Sequence, residues 1–136
     1  MKRLTFLAML ALPTMLMAQT VKSPNGDVEV KFALDGGKPT YEMSYKQKAV
    51  VKPSRLGLEL VKSKHASKGM DETDLMDGFT VTDTKTSSFD ETWTPVWGET
   101  STIRNNYNEL AVTLNQPATK RNIVIRFRVY DYGMGL

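Results

Sequence analysis

A chain of 136 residues holds one domain or part of one. It carries 18 lysines and arginines against 15 aspartates and glutamates, a net charge of +3, and no cysteine. That composition excludes disulfides, thiolate metal sites, a cysteine nucleophile and an acylated N-terminal cysteine.

Met1–Ala18 reads as an address rather than as structure. Lys2 and Arg3 form a positive start. Leu4–Met17 is apolar apart from Thr5, Pro13 and Thr14, and Ala18 offers a small residue before polar Gln19. This is the layout of a secretory signal peptide. The run falls short of the ~20 residues that a permanent membrane helix needs. A buried N-terminal helix is the competing reading, and the positive start followed by a small residue speaks against it. Removing the segment leaves 16 basic against 15 acidic residues, so the basic balance disappears. With it goes the electrostatic case for nucleic acid, which needs a clustered basic face. Export without cysteine points to a periplasmic protein held together by its core and hydrogen bonds, with no membrane attachment after cleavage.

From residue 19 onward, period-two alternation dominates and no window sustains helical spacing. Val28, Val30, Phe32 and Leu34 alternate with polar residues, as do Tyr41, Met43 and Tyr45. Asp35-Gly36-Gly37-Lys38-Pro39 lies between them as a compact turn, so the two runs predict a β-hairpin. Leu56, Leu58 and Leu60 predict a third strand after the breaker Pro53. Lys62–Asp77 has little apolar content and reads as an exposed loop. Phe79–Thr86 and Tyr107–Leu114 predict two further strands. Ile123, Ile125, Phe127 and Val129 alternate with Arg126, Arg128 and Tyr130 in the strongest strand of the chain, with the arginines outward. Several short strands between turn clusters predict an all-β, antiparallel β-sandwich over residues 19–136. Asp131–Leu136 resembles a turn whose returning strand lies beyond this sequence. The sandwich is therefore expected to be incomplete at its C-terminal end and to be part of a larger protein.

The densest chemical cluster is Phe89–Glu99, which holds both tryptophans and three carboxylates, Asp90, Glu91 and Glu99. Tryptophan faces stack on sugar rings and carboxylates accept sugar hydroxyls, so Trp93, Trp97 and Glu99 are candidates for carbohydrate binding or for a domain interface. The competing role is one tryptophan plugging the core and the other covering a loop. Pro95 and Gly98 make the segment a shaped loop or strand edge. A glycosidase acid/base pair is not expected there. Such carboxyls face each other at ~5–9.5 Å across the scissile bond, whereas Asp90 and Glu91 alternate to opposite faces of a strand. Asp71–Gly78 departs from a calcium-loop spacing because no glutamate follows Gly78 at the required distance. His65, the single histidine, has lysines on either side and no second ligand or nucleophile beside it. No catalytic residue and no metal ligand is assigned within the chain.

Taken in order, these stretches resemble the N-terminal region of glycoside hydrolase family 97. The pieces are Ser23-Pro24-Asn25-Gly26, the Val28–Tyr45 hairpin, Pro53-Ser54-Arg55-Leu56-Gly57 and Asp77-Gly78-Phe79. Ser88–Trp93 through Trp97-Gly98-Glu99 follows, then Ile103-Arg104-Asn105, Tyr107–Leu110 and Arg126–Asp131 before Gly133-Met134-Gly135. The resemblance covers Val21–Leu136. It implies a galactose-mutarotase-like supersandwich, followed in the same chain by a catalytic (β/α)₈ barrel and a small β domain. It implies hydrolysis of terminal α-glucosidic or α-galactosidic bonds in an α-linked oligosaccharide. It also implies a calcium ion held mainly by carboxylates of the barrel, with one glutamate from the sandwich beyond Leu136, so that none of its ligands lies in this chain. By that reading the chain alone lacks the catalytic barrel. The alternative is a stand-alone carbohydrate-binding or mutarotase-like module, for which His65 stands in a poor context as an acid or base. Mass spectrometry of the exported protein is expected to find Gln19 at or near its N-terminus; a mature protein retaining Met1–Ala18 would refute the leader.

Overall fold

The computed structural model describes residues 18–60 and 74–136. The proposed leader, His65 and most of the Lys62–Asp77 loop lie outside the described residues. Among the described residues eight strands form two antiparallel sheets. β1 (Gln19–Lys22), β2 (Val28–Asp35), β3 (Lys38–Tyr45) and β4 (Lys48–Arg55) make the first, in chain order. β5 (Thr80–Trp93), β6 (Ile103–Gln116), β7 (Arg121–Tyr130) and β8 (Gly133–Gly135) make the second, also in chain order.

The predicted hairpin is β2–β3, paired from Val28↔Tyr45 to Asp35↔Lys38. Its two-residue turn has φ of +55° at Gly36 and +81° at Gly37. Glycine reaches that region without steric cost, and the twist of such a turn matches the flanking strands. A Cβ on Gly37 would also stand 3.2 Å from the Gly78 backbone nitrogen.

The third expected strand is corrected. β4 occupies Lys48–Arg55 and runs straight through Pro53, while Leu56–Leu60 forms no strand and makes one isolated bridge, Leu58↔Leu75. Proline is tolerated because β4 is hydrogen-bonded to β3 on one side only, and its missing N–H is placed on an edge. The β3–β4 turn is carried by Lys46 (φ +47°) and Gln47 (φ +65°), side chains that do not advertise a turn. The Lys46 N–H donates to the Asp27 carbonyl at 2.7 Å, which helps hold that conformation.

β1 and β2 pack on β6 and β7. Alternation decides what meets. Val28, Val30 and Phe32 from β2 face Leu110, Val112 and Leu114 from β6 and Phe127 and Val129 from β7, all within the buried cluster. The Phe32 and Phe127 rings lie 6.0 Å apart, and Tyr41, the cross-strand partner of Phe32, sits at the same distance from Phe127. Polar bonds tie the sheets at their rims. Asn108 donates to the Lys22 carbonyl at 2.8 Å, and Asp131 accepts from the Asn25 N–H at 2.9 Å. Buried Gln116 donates to the carbonyls of Asp74 and Asp77 at 3.0 and 2.9 Å and accepts from Thr119, so its desolvated amide is satisfied.

β5 lies at the edge of its sheet and is exposed along almost its whole length. Hydroxyls and charges such as Asp83 and Lys85 keep that edge from pairing with other chains. The measured consequence of this layering should be asymmetric along β7. Phe127→Ala is expected to cost about 3–5 kcal/mol through the lost ring and the cavity it leaves, whereas Val124→Ala, at an exposed position, should change stability by no more than ~0.5 kcal/mol. Denaturant unfolding of both variants checks this.

Candidate functional site

β5 and β6 are each 14 residues long and pair from Thr80↔Asn115 to Trp93↔Ile103, with one register shift between Val81 and Asp83. The resulting hairpin carries the tryptophan cluster at its far end. Phe89–Trp93 is therefore strand, an edge strand as its composition suggested, and residues 94–102 are the connecting loop. Trp93 is 48% exposed, Trp97 89% and Val96 92%. Neither tryptophan plugs the core, so the packing role considered for one of them does not hold; the core is closed by phenylalanines and branched aliphatics. Gly98 has φ +130°, which turns the chain beside Trp97. Glu99 is exposed in the same loop.

Cross-strand pairs stiffen this hairpin. Arg104 grips Asp90 with two hydrogen bonds of 2.8 and 2.7 Å. The Arg104 guanidinium holds the Asp90 carboxyl below its ordinary value. A general acid needs the opposite shift, toward neutral pH. Ser88 donates to Asn108 at 2.7 Å. Asp90 and Glu91 sit on opposite sides of β5, as alternation required, and Glu99 lies in the loop. Among the described residues no cluster of three or more His, Cys, Asp or Glu could hold a metal ion.

Pairing also assembles a row of side chains on the outer face of this sheet. Phe89 stacks on Tyr107 at 5.3 Å, Tyr107 meets Tyr130 at 5.3 Å, and Tyr130 stacks on Tyr132 at 5.4 Å. Trp93 follows Phe89 by four residues on the same face. The Arg128 guanidinium lies 5.1 Å from the Tyr107 ring centroid. Beside this row Glu109, only 8% exposed, accepts from Arg126 and from Arg128, each at 2.8 Å. The expected outward position of Arg126 and Arg128 is met, but both are engaged. Alternation put Arg126, Arg128 and Tyr130 on one face of the last strand; the β6–β7 register then brings Glu109 opposite Arg128. A separate groove of about 580 Å³ lies over the first sheet, lined in part by Lys22, Glu29, Lys31 and Glu42. These four pair with one another at 3.1–3.5 Å and stand apart from the tryptophan loop.

The described residues form an all-β sandwich with an exposed tryptophan loop at the end of its longest hairpin. The family described as Glycosyl-hydrolase 97 N-terminal matches residues 21–136, and the chain belongs to it. Among solved structures it is similar to a glycoside hydrolase family 97 enzyme from Pseudoalteromonas sp. strain K8, in complexes with panose and with acarbose. In both the identity is 28%, the TM-score is 0.73, and the match covers 85% of this chain and 16% of that one. A β-arabinopyranosidase shares the fold at 21% identity and a TM-score of 0.68, over 83% of this chain and 16% of that one. The chain thus spans about one sixth of the length of the enzymes it matches.

The electrostatics of Glu109 give a testable pH dependence. Hydrogen bonds from Arg128 and then Arg126 lower its pKa below the ordinary 4.5, against the opposing effect of burial. A pKa lower in the folded than in the unfolded state means that the ionised carboxylate favours folding. Its contribution is full above the unfolded value and is lost as pH falls through the folded one. Glu109→Gln is expected to lower the melting temperature at pH 7, with the difference from wild type shrinking below about pH 4. A difference independent of pH would remove the charge from the explanation.

Proposed function

We propose that this chain is the N-terminal sandwich of an exported, periplasmic hydrolase acting on terminal α-glucosidic or α-galactosidic bonds, with the catalytic barrel and the calcium site supplied by the remainder of a longer polypeptide. The observation that carries this reading is the pair of coverages: a match over 85% of this chain to 16% of enzymes whose structures hold panose or acarbose.

Within that enzyme the hairpin end serves as a contact. Trp97 is exposed, so its ring is open to the C–H face of a sugar, and Glu99 stands in the same loop to accept hydroxyls. The Phe89–Tyr132 row on the face shared with Trp93 supports a second role for this end, packing against the catalytic domain.

Residues 19–136 alone are expected to show no turnover of an aryl α-glucoside or α-galactoside with calcium present, whereas the polypeptide carrying the barrel hydrolyses one of them. In that longer enzyme Trp97→Ala should raise KM for an oligosaccharide about tenfold and leave kcat and the aryl-glycoside constants unchanged, if the loop holds a sugar beyond the cleaved residue. Turnover by residues 19–136 that is abolished by Glu99→Gln would overturn the proposal and place the chemistry in the loop.

A further inference from the structure

Ser23-Pro24-Asn25-Gly26 forms the corner between β1 and β2 and takes no part in the tryptophan loop. An asparagine followed by glycine is the pairing most open to loss of the side-chain amide, because no Cβ on glycine crowds its nitrogen. In that reaction the Gly26 nitrogen gives its proton to a solvent base and attacks Cγ of Asn25. A C–N bond forms, the bond from Cγ to the side-chain nitrogen breaks, and that nitrogen leaves as ammonia. Water opens the resulting cyclic imide at either carbonyl, giving aspartate or isoaspartate. Water is consumed and ammonia released, with no oxidant or reductant.

In this fold both reacting groups are held. The Gly26 N–H donates to the Ser23 carbonyl at 2.9 Å. Asn25 Oδ1 accepts from the Ser23 hydroxyl at 2.7 Å and from the Asp27 N–H at 2.9 Å, and Asn25 Nδ2 reaches the Asp27 carboxylate at 3.4 Å. The Ser23 hydroxyl is fixed in turn. It is buried and accepts from the Val28 N–H at 3.0 Å. Asp131 holds the Asn25 N–H from the second sheet. Asn25 and Gly26 are themselves exposed, so water and base reach them freely. Hydrogen bonding, not burial, withholds the reaction.

We propose that Asn25 is a guarded deamidation site, which stays intact while the β1–β2 corner is closed and converts only in molecules whose corner has opened. Conversion then keeps the corner open. Isoaspartate routes the main chain through Cβ and Cγ, which lengthens the turn closed by the Gly26–Ser23 bond. Either product removes the amide donor that Asp27 accepts and sets a new carboxylate beside Asp27 and near Asp131, where like charges repel. The corner joins the first sheet to the Asp131 turn of the second, so the modified chain retains a covalent record of its opening.

Trypsin releases residues 23–31 as one peptide, cutting after Lys22 and Lys31, and the mass gain from amide to acid reports conversion. The full chain is incubated at mildly alkaline pH, native and in guanidinium chloride, beside the synthetic peptide 23–31. The denatured chain is expected to convert at the rate of the free peptide, and the native chain at least about tenfold more slowly, because the corner opens rarely. Ser23→Ala frees the Asn25 carboxamide and strips the Val28 N–H of its partner. It should speed native conversion about tenfold and leave the denatured rate unchanged. Asp131→Ala loosens the same corner from the other sheet and should speed native conversion by a smaller factor; it carries the comparison if Ser23→Ala does not fold. The isoaspartate form, separated by its added charge, should melt below both the unmodified chain and Asn25→Asp, which has the charge without the lengthened backbone. Native conversion as fast as that of the peptide, wild-type rates in both variants, or an isoaspartate form that melts with the unmodified chain would overturn the proposal.

Discussion

The contact on which the rest of this sandwich depends is Phe32 against Phe127, flanked by Tyr41. These rings come from opposite sheets, and Phe32 and Phe127 are both fully buried. Around them the branched residues of β2, β6 and β7 complete a narrow dry band. A buried aromatic or aliphatic side chain contributes roughly 1.5–3 kcal/mol through removal from water, so a dozen such residues supply most of the driving force against chain entropy. Strands that do not contribute to this band overhang it. β5 and β4 sit at the far edges of their sheets and are largely exposed.

The outer face of the second sheet shows how a position that costs stability elsewhere is made safe here. Glu109 is a nearly buried carboxylate, and it is tolerated because two guanidiniums reach it from the neighbouring strand. One of them, Arg128, also covers the Tyr107 ring, so charge and aromatic row are parts of one patch. Near the hairpin end Arg104 pairs with Asp90, a carboxylate more than half exposed, where such a pair adds little stability.

Much of the fold was legible because each strand that packs on the core shows its alternation plainly. The runs at Val28–Leu34, Tyr41–Tyr45 and Ile123–Val129 all fell within strands, and Asp35–Pro39 enclosed their turn. β4 was not legible, for two reasons. Its turn is built on Lys46 and Gln47, which adopt left-handed backbone without glycine, and Pro53 looked like a breaker when it was an edge residue. Leu56, Leu58 and Leu60 alternate like a strand, yet Leu56 packs against the core while Leu58 and Leu60 are exposed. At the candidate site, the exposure of Trp93 and Trp97 was open in the sequence, and the structure decided it. The Phe89–Tyr107–Tyr130–Tyr132 row and the clamp on Glu109 were out of reach, because register between distant strands is not written in any one of them.

The crossing from the first sheet to the second is anchored at both ends. Leu58 and Leu75 exchange a pair of backbone hydrogen bonds of 2.9 Å, and Phe79 donates to Gly37 at the hairpin tip. Gln116 fastens the carbonyls of Asp74 and Asp77 from a third strand. The two-residue turn at Gly36-Gly37 is fitted against Gly78, where a Cβ on Gly37 would stand 3.2 Å from the backbone nitrogen, so a residue inserted there would unseat the hairpin tip from the start of the second sheet.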